Sequence, residues 1–388
     1  MSRRDPRPGE RLAQALTTRR ILVVCGSGGV GKTTAAAALA LRAAQGGRRV
    51  LVCTIDPSRR LATSLGLSKL SERAKLLPLE RVDPDATGSL WAMTLDTKRT
   101  FDRLVERHAA TEEARRRILE NRFYQQVSAA LAGSHEYMAM EKVLELSADP
   151  RFDLVVLDTP PTRHALDFLE APDRMLGVLD TSVLRYFLRP YFVAGRLTLK
   201  IATKTGALAL KLADSVLGLQ FLQDLSEFFL AFDGMYGGFK ERAAQVHALL
   251  RREDAGFVLV ASPAGPALEE ALYFHRRLAE KGMPFVGFVV NRVHPDPAAV
   301  PPSGGPESRV GPELAQALAS VFREQHALAN ADQRRIARLE VDVAMPVLRV
   351  PEFEADVHDL RGLAQIADVL VPRARRTART PRRMPARP

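Results

Sequence analysis

Cysteine is scarce in this chain, and long uncharged apolar runs are missing from it. The 388 residues include only Cys25 and Cys53, too few for a disulfide scaffold, a four-thiolate zinc site or an iron–sulfur cluster held by one chain. No run approaches the roughly eighteen apolar residues that a membrane-spanning helix needs. Apolar residues still make up 46% of the chain, which excludes wholesale disorder. We therefore expect a folded cytoplasmic protein.

The net charge of +11 is confined to the two ends of the chain. Residues 1–20 carry six arginines and two acids, and residues 372–388 carry seven arginines and no acid, so the middle is close to neutral. The sequence predicts a basic N-terminal extension at 1–20, a folded domain at 21–371 and a disordered arginine- and proline-rich tail at 372–388. Solvated tails are the simpler interpretation, and weak contact with an anionic membrane or nucleic acid is the alternative.

Short β-branched runs, separated by helical patterns, indicate strands that are covered on both faces. The predicted strands are Ile21–Cys25, Val50–Ile55, Leu154–Asp158, Phe257–Ala261, Val286–Val290 and Val347–Val350. This alternation predicts an α/β fold with a mostly parallel sheet flanked by helices. About a hundred residues follow Asp158 before the next strand, where a crossover needs roughly a dozen. We therefore predict an inserted helical subdomain at about 165–250.

Part of this insert is unusually apolar. The segment 184–236 is rich in leucine, phenylalanine and alanine, and its apolar side chains recur at helical spacing from Phe221 to Phe232. Packing of these helices on the core is the simpler interpretation. The functional alternative is an apolar groove for a client or partner protein.

A glycine-rich loop directly follows the first predicted strand. It reads Gly26, Ser27, Gly28, Gly29, Val30, Gly31, Lys32, Thr33 and Thr34, which matches the phosphate-loop pattern G-x-x-x-x-G-K-[ST]. The glycines allow backbone amides to surround phosphates, and a helix N-terminus favours negative charge there. Lys32 is predicted to bind the β- and γ-phosphates, and Thr33 to ligate Mg²⁺.

A carboxylate follows each of the next two buried strands. Asp56 comes directly after Val50–Ile55, and Asp158 closes the strand that begins at Leu154. Both strand ends are expected beside the phosphate loop, because parallel strands present their carboxyl ends at one edge of the sheet. Asp56 is placed to orient an attacking water and Asp158 to act near Mg²⁺.

Three segments together resemble the nucleotide motifs of the ArsA family of ATPases, within the deviant-Walker class that also includes the ParA/MinD ATPases. They are Gly28–Thr34, Thr54–Pro57 and Asp158–His164. Val289–Arg292 is similar to the strand end where the family has an asparagine that reads adenine. Glu136–Glu141 stands where the family has an acidic helical motif. The family comprises arsenite-pump ATPases and ATPases that deliver tail-anchored membrane proteins.

The resemblance, which covers roughly residues 20–370, implies an enzyme that hydrolyses ATP with Mg²⁺ and works as a homodimer. It implies that Asp56 positions or deprotonates the attacking water and that Asp158 holds Mg²⁺ through water. It also implies that Asn291 contacts adenine. Pro351–Leu363 resembles the segment that closes the base pocket, with no single residue singled out.

The resemblance further implies that hydrolysis drives a dimer rearrangement that acts on a membrane-associated partner or client, through the helices in 184–236. Peripheral association with the membrane would follow. Two alternatives stay open: a ParA/MinD-like positioning ATPase that uses the basic tails, and an ATP-sensing adaptor that does not hydrolyse ATP. The long apolar segment favours the first function, because a positioning ATPase needs no such segment.

One position departs from the family pattern. Ser27 stands where the family's signature lysine reaches the partner subunit's phosphates, and a serine cannot supply that charge. Arg59, Arg60 and Arg163 lie near the two switch motifs, and we predict that one of them acts as an arginine finger in its own or the partner subunit. The alternative is that they are surface residues or steer phosphate.

The cysteines also depart from the family. We expect both to be buried and inert, because each lies in a predicted strand. Arsenite is therefore not the expected ligand, and a dimer clamped by zinc is not expected either.

Overall fold

An eight-stranded sheet organises the chain. In the computed structural model, the described residues are 8–55, 59–109, 111–127, 134–159, 228, 236–299, 311–354 and 356–373. The strands are β1 (Ile21–Cys25), β2 (Arg49–Thr54), β3 (Lys75–Leu76), β4 (Ser89–Thr94), β5 (Leu154–Asp158), β6 (Ala255–Ala261), β7 (Phe285–Val293) and β8 (Leu348–Pro351). Their order across the sheet is β3-β4-β2-β5-β1-β6-β7-β8. Each neighbouring pair is parallel except β3 with β4, which confirms the predicted α/β architecture.

Helices of the described residues flank the sheet. They are α1 (Pro8–Thr18), α2 (Lys32–Gln45), α3 (Arg60–Ser64), α4 (Thr97–His108), α5 (Glu112–Leu119), α6 (Arg122–Val127), α7 (Ser134–Ser147), α8 (Tyr236–Arg251), α9 (Gly265–Glu280), α10 (Pro312–Val343) and α11 (Leu360–Leu370). The six predicted strands are present within three residues of their expected ends. The antiparallel β3 and its neighbour β4 were not predicted.

The sheet is buried on both faces, as the apolar runs predict. In β1, Leu22 and Val24 belong to one hydrophobic cluster, together with side chains of α2 and α11. Ile21, Val23 and Cys25 belong to a second cluster on the other face, together with side chains of α7, α8 and α9. Because successive side chains of a strand point to opposite faces, a strand between two helical layers is apolar on both faces along most of its length.

The expectation of a solvated extension over residues 1–20 is wrong for residues 8–18. These residues form α1, and Leu12, Ala15 and Leu16 on it are buried in the first cluster. Their spacing of three and four residues places them on one face of a helix. The high arginine content of residues 1–20 made this apolar stripe hard to recognise in the sequence. At the other end, Arg373 pairs with Asp83 at 3.1 Å.

Much of the predicted helical subdomain at 165–250 lies outside the described residues. The described residues in that range belong to α8, apart from Phe228. The apolar segment 184–236 is described only at Phe228, which is buried and stacks on Tyr124 at 6.0 Å, and at the first residue of α8. Residues 374–388 of the predicted tail also lie outside. Among the described residues, no helix combines the length and apolarity that crossing a membrane requires.

Arginine side chains connect the elements at the amino end of the sheet. Arg20, just before β1, donates to the carbonyl oxygens of Asp149 and Phe152, each at 3.1 Å. Arg48, just before β2, donates to the carbonyl oxygens of Leu16 and Arg19, each at 2.7 Å. Hydrogen bonds from a charged donor are stronger than neutral ones. These contacts hold α1 and the chain before β5 to this end of the sheet.

A carboxylate at the same amino end of the sheet is expected to make the free energy of unfolding depend on pH. Asp153 accepts hydrogen bonds from the Arg49 guanidinium at 2.6 Å and from the Arg49 backbone N–H at 2.8 Å, and these bonds, the first above all, lower the pKa of Asp153 to about 2. An unfolded aspartate has a pKa of about 3.9. Because the pKa of Asp153 is lower in the folded than in the unfolded chain, its ionised form adds to the free energy of unfolding above about pH 4. This contribution is lost as the pH falls toward about 2.

We therefore expect Asp153→Asn to lower the urea midpoint at pH 7 and pH 5, with the difference shrinking at pH 4 and pH 3. Equilibrium urea unfolding at the four pH values measures this difference. Asp342→Asn, on an exposed position of α10, is the control for the charge change and should leave the midpoint nearly unchanged. A deficit of Asp153→Asn that is the same at all four pH values would contradict the prediction.

Candidate functional site

A tight turn carries the chain from β1 into α2. Gly26 has a φ of 151°, and a β-carbon there would lie 2.0 Å from the carbonyl oxygen of Val260, so only glycine fits. Gly31 has a φ of 93°, in the left-handed region that favours glycine, and α2 begins at the next residue. The loop therefore ends at a helix N-terminus, where backbone N–H groups have no partner within the helix and favour an anion.

Lys32 lies under this loop. Lys32 is only 6% exposed, and its Nζ donates a hydrogen bond to the carbonyl oxygen of Ser27 at 2.7 Å. This bond holds the ammonium group across the loop, on the side that faces the cavity described below. A positive charge fixed beside a helix N-terminus suits a phosphate group.

Two threonine hydroxyls converge on one carboxylate at the carboxyl ends of the strands. Thr33 and Thr54 donate to Oδ2 of Asp158 at 2.9 and 2.8 Å. Asp158 is completely buried at the end of β5. These hydroxyl and carboxylate oxygens are the hard ligands that Mg²⁺ prefers, directly or through water, so the residues fit this ion.

A cavity of about 560 Å³ opens above these groups. Three arginines, Arg59, Arg60 and Arg292, line it together with Lys32, so the cavity is strongly basic. The other lining residues are Gly29, Gly31, Thr33, Thr34, Thr63, Ser64, Thr159, Asp356, Val357 and His358. The last three belong to the segment 351–363 that the sequence predicted at the base pocket.

Asn291 lies against the phosphate loop. Its Nδ2 donates to the carbonyl oxygen of Val30 at 2.9 Å, and a β-carbon at Gly31 would lie 2.2 Å from the same nitrogen. The structure thus brings Asn291 to the loop, and its contact with adenine stays a prediction. Arg292, the next residue, is a cavity residue that sequence reasoning missed, because nothing in its spacing marks it.

Ser27 has a partner that the sequence did not indicate. Its hydroxyl hydrogen-bonds to the carboxylate of Glu270 on α9. Both residues line a second concavity of about 750 Å³ on the other side of the loop, which also includes Gly28, Val30 and Arg292. The position that carries the family's signature lysine is therefore a neutral hydroxyl beside an acid.

Several predicted residues are not brought to the site or lie outside the described residues. Asp56, Arg163 and His164 lie outside them. Within the acidic motif, Glu141 is buried and paired with Arg242 of α8, so it joins two helices. In the described part of the chain, no group of three or more His, Cys, Asp or Glu side chains is placed to hold a metal ion.

The prediction that both cysteines are buried is confirmed. Cys25 ends β1 and Cys53 lies in β2, and each is at most 3% exposed. Burial raises the pKa of each thiol to about 12, so both stay protonated at neutral pH. Thiolates are the form that binds soft metal ions and metalloids, and these two thiols cannot supply them without unfolding the strands.

A parallel sheet with a phosphate loop between its central strand and the next helix, and a carboxylate at the neighbouring strand end, defines a P-loop nucleoside triphosphatase. The profile of the anion-transporting ATPase family, ArsA, matches residues 19–303, so the chain belongs to that family. The protein is therefore an ATPase of the ArsA type, and it binds ATP.

Three curated relatives match between 72% and 95% of this chain. The "ATPase get3" of Schizosaccharomyces japonicus is 23% identical over 95% of this chain and 97% of its own length. The "Putative arsenical pump-driving ATPase 1" of Aquifex aeolicus is 24% identical over 90% of this chain and 78% of its own. The "ATPase GET3C" of Arabidopsis thaliana is 27% identical over 72% and 68%, respectively.

Proposed function

We propose that the protein hydrolyses ATP with Mg²⁺ in the basic cavity and uses the reaction to rearrange a homodimer that acts on a client protein. The observation that supports the chemical step best is the convergence of Lys32, Thr33 and Asp158 at the carboxyl ends of β1 and β5. These groups supply a fixed positive charge and a hydroxyl from the phosphate loop, and a carboxylate that is bonded to that hydroxyl at 2.9 Å.

Each group has a separate task in this proposal. Backbone amides of residues 28–34 and the Lys32 ammonium bind the phosphates, and Thr33 and Asp158 hold Mg²⁺. When bound, Mg²⁺ neutralises phosphate charge. Asp56 orients the attacking water, as the family motif predicts. Positioning and charge stabilisation account for most of phosphoryl-transfer catalysis, so the site needs no covalent intermediate.

Steady-state ATP hydrolysis by the full-length chain tests the proposal. We expect Mg²⁺-dependent release of phosphate that EDTA abolishes and that arsenite leaves unchanged. Absence of turnover together with tight ATP binding would instead support an ATP-sensing adaptor. Stimulation by arsenite would contradict the choice of a protein client over arsenite.

The proposal of a protein client rests on the relatives and on the cysteines. Two of the relatives above are named get3 ATPases and one is named as an arsenical pump-driving ATPase. The buried thiols Cys25 and Cys53 favour the first type, because neither is available to arsenite. The segment 184–236 carries the apolar side chains that a client groove would need. Mixing the chain with a hydrophobic helical peptide, with and without ATP, would test client binding.

Arg59 and Arg60 line the cavity, as an arginine finger requires. We expect Arg59→Ala or Arg60→Ala to lower the turnover number by roughly 10³-fold if that residue stabilises the transition state. ATP affinity should change far less, because the finger acts on charge that develops during the reaction. Parallel measurements of turnover and ATP affinity on both variants and on Arg163→Ala check this. Losses of less than a few-fold in all three variants would exclude a finger at these positions.

A further inference from the structure

Arg292 has an unusual backbone conformation for a large side chain. Its φ is 58°, in the left-handed region. Within the described residues, Ala344 is the other non-glycine with a positive φ, and it caps the C-terminus of α10, where that conformation is common. Such strain persists only where the surrounding structure enforces it, and it is frequent at functional sites.

The strain coincides with an irregularity at the end of β7. The pairing register of β7 with β8 shifts between Val290 and Val293, so Arg292 lies within a bulge. A bulge changes the direction of a side chain at a sheet edge. On its amino side the bulge is fixed by Asn291, which is bonded to the carbonyl oxygen of Val30. The strand end is thereby attached to the phosphate loop.

The bulge places Arg292 between two concavities. Its exposed side chain lines the cavity that contains Lys32 and Thr33, and it also lines the concavity that contains Ser27 and Glu270. The side chain therefore borders the phosphate loop on both sides. Arginine suits phosphate recognition because its planar guanidinium donates two parallel hydrogen bonds to one phosphate.

We propose that Arg292 is a second phosphate-binding cation of the nucleotide site, acting within its own subunit. This inference rests on the proposed function, because it assigns to Arg292 the phosphate chain of the ATP bound there. It accounts for how the site holds a highly charged ligand with Ser27 at the signature position. Lys32 acts from beneath the loop, and Arg292 acts from the end of β7.

Binding measurements on three variants test the assignment. Arg292→Asn removes the charge while keeping a residue that tolerates the left-handed region, and Arg292→Gly removes both charge and strain. Arg338→Asn, at an exposed position of α10, makes the same charge change elsewhere. Calorimetric titration with ATP, inorganic tripolyphosphate and adenosine separates contacts to phosphate from contacts to the base.

We expect both Arg292 variants to bind ATP and tripolyphosphate about tenfold or more weakly, with adenosine affinity unchanged. Arg338→Asn should stay within twofold of the wild type. The melting temperature of Arg292→Gly should not fall, which separates loss of affinity from loss of structure. Unchanged ATP affinity in both variants, or an equal loss for adenosine, would overturn the inference. If wild type and Lys32→Ala bind ATP equally weakly, the proposed function fails and this inference fails with it.

Discussion

Replacing Lys32 with methionine is expected to lower ATP hydrolysis at least about a hundredfold and to weaken ATP binding. The methionine preserves most of the buried stem but removes the ammonium that is fixed at 2.7 Å from the Ser27 carbonyl. Without it, the phosphate loop retains its backbone amides and loses its one buried charge. Turnover and equilibrium ATP binding should be measured on the same preparation, because the residue serves both.

Lys142→Met is the matched control. Lys142 is also only 6% exposed, but its ammonium is bonded to Glu145 on α7, at 2.8 Å. This substitution should lower the free energy of unfolding, because the partly buried Glu145 carboxylate loses its nearer cation and keeps the Arg107 guanidinium at 3.9 Å, and it should leave turnover within a few-fold. Comparable turnover losses in the two variants would show that Lys32 matters only for folding.

Asp158→Asn is expected to lower hydrolysis at least about a hundredfold and to remove the gain in ATP affinity that Mg²⁺ provides. Asparagine has nearly the same shape, and its amide oxygen can still accept hydrogen bonds from Thr33 and Thr54. The fold should therefore survive while the negative charge is lost. ATP affinity in EDTA should stay close to that of the wild type.

The decisive measurement is ATP affinity with and without Mg²⁺ in the wild type and the variant. Asp153→Asn provides the control, because it removes a carboxylate just before the same strand and should preserve the Mg²⁺ effect. An Asp158→Asn variant that still gains affinity from Mg²⁺ would contradict the assignment of Asp158 to the metal.

Local patterns predicted the parts of the site that are close together in sequence. The loop Gly26–Thr34 has a recognisable spacing, and Asp158 could be placed because parallel strands end at one edge. Thr54 is a less visible partner, because a hydroxyl inside an apolar run looks like any other strand residue. Its bond to Asp158 depends on β2 and β5 being neighbours, which is a property of the sheet order.

Other features depend on tertiary contacts that a single sequence does not reveal. The direction of Arg292 follows from a bulge in the pairing of β7 with β8, and the partner of Ser27 lies 243 positions away on α9. Helix α1 was not predicted, because its apolar stripe of Leu12, Ala15 and Leu16 is short and arginines flank the helix in sequence. The strand β4 was missed because its apolar residues, Leu90 to Met93, include no valine or isoleucine, and the strand predictions relied on β-branched runs.

The arginine contacts at the amino end of the sheet imply that the two ends of the strands have different roles. Arg20 and Arg48 bond to backbone carbonyls there and Arg49 to the carboxylate of Asp153, while the opposite end of β1 and β5 holds the groups proposed to bind the nucleotide. A protein engineer seeking a more heat-resistant variant therefore has a natural place to work. New links among α1, β1, β2 and the start of β5 would stiffen the scaffold at the strand ends opposite Thr33 and Asp158.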